Sequence, residues 1–368
     1  MRRFTALFTA FIISFSLSAC ARNTTNDTDV MPLSTETPTA VFIPEPTAMP
    51  LPQNSSLEVH YIDVGQADSA LVLCDSKAML IDGGNAEDSD LIAAYLKKEN
   101  VSVLDYIVCT HAHEDHCGGL SGALSVVTVE NVLAPQTETD TEVYQNFKDK
   151  TAAQGLTIQH PSAGDSFTLG SSNVQIVGPI TEDADDPNNT SIVMKLTYGD
   201  TSFLFTGDAE RDEEQAILSA GYDISADVLK VGHHGSDSST SYVWLREIMP
   251  KYAVISVGKG NSYGHPTEEV LSRLRDAGAQ VFRTDLQGDI IAVSDGTDIT
   301  ITTEKNESIQ TNETATEPEE GGYIGNKNTK KFHRPDCRTL PAEKNQVPLS
   351  SREEAISMGY DPCGNCLP

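Results

Sequence analysis

From Leu57 onward, short apolar runs alternate with amphipathic stretches. The runs LEVHYID, SALVLC and KAMLID predict three strands. SDLIAAYLKKEN predicts an amphipathic helix, and LDYIVCT a buried strand that runs into a histidine-rich loop. Further on, SIVMKLTYGDTSFLFTGD predicts two strands joined at YGDT, AERDEEQAILSAG a helix, and ADVLKVGHHGS a strand leading into a second loop. SYVWLREIM, KYAVISVG, TEEVLSRLRDAG, QVFRTD and DIIAVSD continue the rhythm. Such alternation predicts an α/β domain of mixed sheets covered by helices, rather than a helical bundle or an all-β sandwich.

The flanks read differently. MRRFTALFTAFIISFSLSAC has a basic start, an apolar stretch and small residues, the pattern of a secretory signal too short for a retained membrane span. Its end, LSAC, resembles a bacterial lipobox. That predicts cleavage before Cys20, lipidation of Cys20, and a protein anchored on the outer face of a bacterial membrane. An ordinary cleavable signal with an incidental cysteine is the alternative. Residues 21–56, rich in Thr, Pro, Ser and Asn, bury too little to offset their ordering entropy and predict a disordered tether. Residues 304–320 predict a linker, leaving a domain at 57–303 and a small module at 321–368. Two folded units with linkers also suit a chain of 368 residues.

The candidate chemistry lies on the loops. THAHEDHCGGL places His111, His113, Asp115 and His116 on one short loop after a strand, with Gly118 and Gly119 letting the backbone turn closely beneath it. Neutral imidazole and carboxylate suit Zn²⁺ or Mn²⁺, one or two ions. The pattern of a ligand type just after a strand recurs at Asp82, Asp208, His233, His234 and His265; six of the nine histidines lie in these loops. Asp68 in GQADS is a further candidate, as an acid reaching the site or as a capping group. Cys74, Cys109 and Cys117 predict small buried side chains.

THAHEDH resembles the H-x-H-x-D-H motif of the metallo-β-lactamase superfamily. The strings HYIDVGQADS, LIDGG, DVLKVGHHGSDSST and NSYGHPTEEVL narrow the resemblance to the soluble hydrolase domain of ComEC-type competence DNA-uptake proteins, apart from their channel. The resemblance implies an αβ/βα sandwich with metals at one edge of two sheets. His111 and His113 would bind one metal, Asp115 and His116 a second, and Asp208 would bridge them. One of His233 and His234 would complete the second site, and Asp82 would hold a ligating histidine by its ring N–H. Hydrolysis by metal-activated water would follow, with Asp115 orienting the water and His265 donating a proton or contacting phosphate. Two departures stand out. The histidine usual between the His116 loop and the bridging aspartate is replaced by Asn188 and Asn189, and Ala67 stands where Gly is usual.

The resemblance implies DNA or another phosphodiester as substrate. Charge pulls the other way: residues 57–303 hold 14 Lys and Arg against 39 Asp and Glu, a net of −25. Phosphate-backbone affinity normally needs basic contacts, so a small or cell-wall phosphodiester is a rival substrate. No protein partner is defined.

The C-terminal module carries His333-x₃-Cys337 and Cys363-x₂-Cys366, ligand pairs for one structural Zn²⁺. It resembles the zinc-binding domain of Ada-type DNA-repair proteins, with His333 in place of the first cysteine. That change leaves zinc binding intact but puts methyl transfer in doubt. A DNA-presenting role and a stabilised cap both remain open. A surface protein that binds through this module, with weak catalysis, is the alternative to the enzyme.

Overall fold

The computed structural model describes residues 51, 55–181, 186–306, 309–311, 322–335, 337–363 and 366. The expected signal segment with Cys20, and most of the tether and linker, lie outside the described residues. Among the described residues, no helix is long and apolar enough to cross a membrane.

The strands of this domain, the predicted ones among them, pair into two sheets. The first contains β1 (Leu57–Tyr61), β2 (Ala70–Cys74), β3 (Lys77–Ile81), β4 (Val103–Val108), β5 (Thr128–Leu133) and β6 (Ile158–Gln159). The second contains β7 (Ser166–Leu169), β8 (Ser172–Gly178), β9 (Val193–Tyr198), β10 (Thr201–Phe205), β11 (Val228–Lys230), β12 (Tyr252–Ile255) and β13 (Gln280–Arg283). Strands β14 (Ile290–Ser294) and β15 (Ile299–Thr303) return to the first, giving the orders β15-β14-β1-β2-β3-β4-β5-β6 and β13-β12-β11-β10-β9-β8-β7. Each sheet is antiparallel in one half and parallel in the other, with β3 to β6 parallel in the first and β10 to β13 in the second.

Side-chain alternation explains the layering. Along β2, Ala70, Val72 and Cys74 join the core between the sheets, while Leu71 and Leu73 face the helices outside. On β10, Phe203 and Phe205 point to the same central core and Leu204 to the helices on the far side. Helix Ser89–Lys98 buries Ile92, Tyr95 and Leu96, the i, i+3, i+4 stripe that seats a helix on a sheet. The result is the αβ/βα sandwich. Full burial of one such Phe or Leu contributes about 1.5–3 kcal/mol. The helices Leu120–Val126 and Glu142–Ala153, the strands β5, β6 and β15 and the hairpin β7–β8 were not among the elements predicted above, because their apolar spacing is weak.

The C-terminal module is a four-stranded sheet built on Tyr323–Asn326, Lys331–His333, Gln346–Leu349 and Asp361–Pro362. Among the described residues, its apolar core holds five buried side chains: Tyr323, Phe332, Leu349, Ala355 and Tyr360. A core that small needs another staple.

Candidate active site

The parallel halves place the site. Strands β3 and β4 end at Asp82 and Thr110–His111 in one sheet; β10 and β11 end at Asp208 and His233–His234 in the other. Loops at the carboxyl ends of parallel strands therefore meet across the sandwich edge. The His111 loop is held close by glycines, for a reason other than an unusual turn. A Cβ on Gly119 would lie 1.9 Å from Gly83 O, and one on Gly83 2.4 Å from Leu120 N. Gly118 and Gly119 keep ordinary helical-region φ angles of −60° and −76°. They are needed for close backbone approach.

Asp208 Oδ2 is the hub. It lies 4.0 Å from His111 Nε2, 3.3 Å from His116 Nε2, and 3.7 Å from Nε2 of both His233 and His234. His113 Nδ1 is 3.0 Å from His111 Nε2. Asp115 Oδ2 lies 3.3 Å from His234 Nε2 and 4.0 Å from His116 Nε2. Two ligand-type triads, His111–His116–Asp208 and Asp115–His116–His234, share His116, each with its donor atoms within 4.8 Å.

Neighbours fix these groups. Asp82, itself in the left-handed region at φ 56°, accepts hydrogen bonds from Thr110 N–H and Oγ1–H, both at 2.7 Å. Its Oδ2 accepts a hydrogen bond from His116 Nδ1–H at 2.9 Å, which turns Nε2 toward Asp208. His233 and His234 stand in succession at φ 49° and 52°, a conformation L residues rarely adopt, between Gly232 and Gly235. The pair then divides. His234 is buried, with Nδ1 at 3.1 Å from Ser256 O and 3.3 Å from Asp68 Oδ1. His233 is partly exposed, and its Nδ1 meets Glu210 Oε1 at 3.1 Å and Ser238 Oγ at 3.2 Å. Both reach Asp208 equally, but only His234 also meets Asp115 and Asp68.

Asp68 is brought to the cluster, and its other oxygen forms a buried ion pair with Lys230 Nζ at 2.7 Å. Lys230, Glu210 and Thr110 were missed in the sequence, where nothing in their spacing marks them. Asn188 and Asn189 stand beside Glu210: Asn189 Oδ1 accepts the Glu210 N–H at 3.0 Å, and Asn188 Nδ2 donates to its carboxylate at 3.3 Å. His265 sits at the rim, its ring centroid 5.7 Å from that of His233. Asn261 clasps its backbone through Oδ1 at 3.0 Å and Nδ2 at 2.6 Å. The ring of Tyr263, 71% exposed, stacks beside His265 at 5.7 Å. His60 and His160 lie elsewhere, against Tyr95 and Glu58 and against the carbonyls of Ala134 and Pro135. Cys74, Cys109 and Cys117 are buried and free.

Electrostatics shows what the site accommodates. Burial works against ionisation of Asp208, yet His116, His234 and His111 hold its carboxyl well below the usual range. Asp115 is likewise held at about 2, against burial, by His116 and His234. Burial opposes a charge on His116 too, but Asp208, Asp82 and Asp115 push it well above its usual value. Burial and the neighbouring His116 push the His111 imidazole well below its usual value. A proton is one way to offset these carboxylates; a divalent cation is another. Among the described residues Asp208 Oδ1 is buried without a hydrogen-bond partner, and buried polar atoms normally have one. The imidazole and carboxylate donors fit Zn²⁺ or Mn²⁺.

In the module, His333, Cys337, Cys363 and Cys366 place four donor atoms within 4.8 Å of one another. His333 Nδ1 is 3.4 Å from Cys337 Sγ, and Cys337 Sγ is 3.9 Å from Cys363 Sγ. Burial pushes the Cys366 thiol up to about 12, with Cys337 and Cys363 adding to it. Three sulfurs and one imidazole fit a closed tetrahedral zinc site.

Fold and site together define a metal-binding hydrolase of αβ/βα architecture, and the chain belongs to the metallo-beta-lactamase superfamily, which its sequence matches over residues 62–259. Residues 308–368 match the metal binding domain of Ada. The chain is similar to ComE operon protein 3 of Bacillus subtilis, 31% identical over 255 residues, covering 64% of this chain and 33% of that protein. It is also similar to competence protein ComA of Neisseria gonorrhoeae, 31% identical over 240 residues, covering 65% and 32%. It thus spans about a third of the length of these relatives. Among solved structures, the metallo-beta-lactamase fold protein YhfI of Bacillus subtilis covers 66% of this chain and 100% of its own, at 16% identity and a TM-score of 0.44.

Proposed function

We propose that this chain is a metal-dependent phosphodiesterase acting on DNA, lipid-anchored through Cys20 at the outer face of a bacterial membrane. The observation that carries the catalytic part is the approach of four histidine Nε2 atoms to Asp208 Oδ2, with buried Asp208 Oδ1 left without a hydrogen-bond partner among the described residues. His111, His113, Asp115, His116, Asp208 and His234 would hold one or two Zn²⁺ or Mn²⁺ ions. When bound, such ions polarise a phosphoryl oxygen and lower the pKa of water. Asp115, partly exposed at the mouth, orients the attacking water. His265 hydrogen-bonds a phosphoryl or leaving oxygen. Asp68, tied to Lys230, acts by positioning His234 rather than by touching substrate. The resemblance to competence DNA-uptake proteins supports a nucleic acid, and the exposed Tyr263 ring beside His265 offers a face on which a base can stack.

A small or cell-wall phosphodiester is the second reading, favoured by the net charge of −25 over residues 57–303. The module offsets little of it, because residues 321–368 hold 7 Lys and Arg against 5 Asp and Glu. The deciding experiment incubates the Mn²⁺- or Zn²⁺-loaded chain with labelled single- and double-stranded DNA and with bis-p-nitrophenyl phosphate, using Asp208→Ala as control. DNA cut only by wild type supports the first reading. Cleavage of the small diester with DNA intact supports the second. Equal traces in wild type and Asp208→Ala would overturn both.

A further inference from the structure

The segment after His234 is held by two arginines. Arg211 donates its backbone N–H to Ser238 O at 3.1 Å and its Nη2 to Asp237 O at 2.8 Å. Arg273, fully buried, donates Nη1 to Ser239 O at 2.8 Å and Thr240 O at 3.2 Å, and Nη2 to Asp237 O at 3.3 Å. Glu210 accepts from Ser238 Oγ at 2.9 Å and from His233 Nδ1 at 3.1 Å. The left-handed backbone at His233 and His234 is therefore tied to Glu210 and Arg211.

Arg211 has a second attachment. Its Nη1 is 2.9 Å from Asp361 Oδ2, a residue of the C-terminal module. The Asp361 N–H donates to Lys330 O at 2.7 Å, and the Cys363 N–H to Phe332 O at 2.9 Å. Asp361 thus sits on the two-strand ladder that carries His333 and Cys363, two of the four zinc-type ligands. Its carboxylate also acts on Arg273 and Lys331, so one acid serves three neighbouring cations.

We propose that Asp361 is a positioning residue of the hydrolytic centre. The zinc-stapled ladder sets Asp361, Asp361 sets Arg211, and Arg211 with Arg273 sets the 237–240 segment and so the rings of His233 and His234. The module is then a built-in brace of the active site. This goes beyond the phosphodiesterase reading and needs only that the centre bind metal. Without Asp361, Arg211, Arg273 and Lys331 lose the acid they share, with Glu214 left beside Arg273 and Asp237 beside Lys331, and the segment loosens.

The test uses the full chain carrying Asp361→Ala, Asp361→Glu or Arg211→Gln, with three readouts: zinc retained by the cysteine site, amide hydrogen exchange over residues 233–241, and Mn²⁺ affinity of the hydrolytic centre. Asp361→Ala is expected to keep its zinc, to exchange about tenfold faster over that segment, and to bind Mn²⁺ about three- to tenfold more weakly, below the effect of a direct partner of a ligand. Asp361→Glu restores both. Wild-type exchange and affinity in a zinc-retaining Asp361→Ala chain would overturn the proposal. Should Asp361→Ala shed its zinc, Arg211→Gln decides, with a loosened segment expected and an unchanged one overturning. No readout uses a substrate, so failure here is distinct from failure of the phosphodiesterase reading.

Discussion

His116 donates a hydrogen bond from Nδ1–H to Asp82 Oδ2 at 2.9 Å, and the same carboxylate is pinned by both donors of Thr110. One carboxylate thereby fixes the tautomer and the aim of the histidine common to both triads. Asp82→Asn, which keeps the shape and loses the charge, should weaken metal binding by about 10–100-fold with the fold retained. Chelator competition checks this, and unchanged affinity would disconnect Asp82 from the centre.

His233 and His234 should separate on mutation. His234 meets Asp115, Asp68 and Asp208, whereas His233 meets Glu210, Ser238 and Asp208. His234→Ala should cost more than about 100-fold in kcat/KM on bis-p-nitrophenyl phosphate, and His233→Ala less than that. A reversed order would make His233 the ligand.

Gly119→Ala should be severe because the added carbon meets backbone, 1.9 Å from Gly83 O, which cannot rotate away. A loss of about 3 kcal/mol is expected. Gly260→Ala, with φ 68° and open space around it, should cost only about 1 kcal/mol through backbone strain. Urea unfolding of the two variants measures the difference.

Glu214 is buried and receives the backbone N–H groups of Thr240 and Ser241, and burial raises its carboxyl above the usual 4.5. An acid with a raised folded value contributes stability that is present below the unfolded value and lost as pH rises through the folded one. Glu214→Gln lowers the baseline, because an amide offers one oxygen to two N–H groups, but it removes this slope. The stability gap between variant and wild type should therefore narrow as pH rises from 4.5. A gap that widens with pH, read by urea unfolding, would contradict the assignment.

Cys363→Ser should unfold the C-terminal module while the sandwich stays folded. Five buried apolar residues among those described cannot replace the ion that His333, Cys337, Cys363 and Cys366 would hold, while the sandwich has three cores of its own. Limited proteolysis should cut within residues 322–363 of the variant and spare the wild type. Persistent protection would mean that packing suffices.

Much of this molecule was legible from local pattern. Period-two alternation marked β2 and β10, the i, i+3, i+4 stripe marked Ser89–Lys98, and each cluster of ligand-type residues stood just after an apolar run. Those signals are local, because strand faces and helix stripes are set within a few residues. The close Gly119–Gly83 approach, the unequal places of His233 and His234, the Asp68–Lys230 pair and the tie from Asp361 to Arg211 were not legible. Each joins residues far apart in the chain, Asp361 and Arg211 among them, and depends on which strands lie side by side. Sequence alone therefore determined which chemical groups the loops carry, while the pairing of parallel strand ends across two sheets decided which groups meet, because distance in a folded chain is set by packing rather than by spacing.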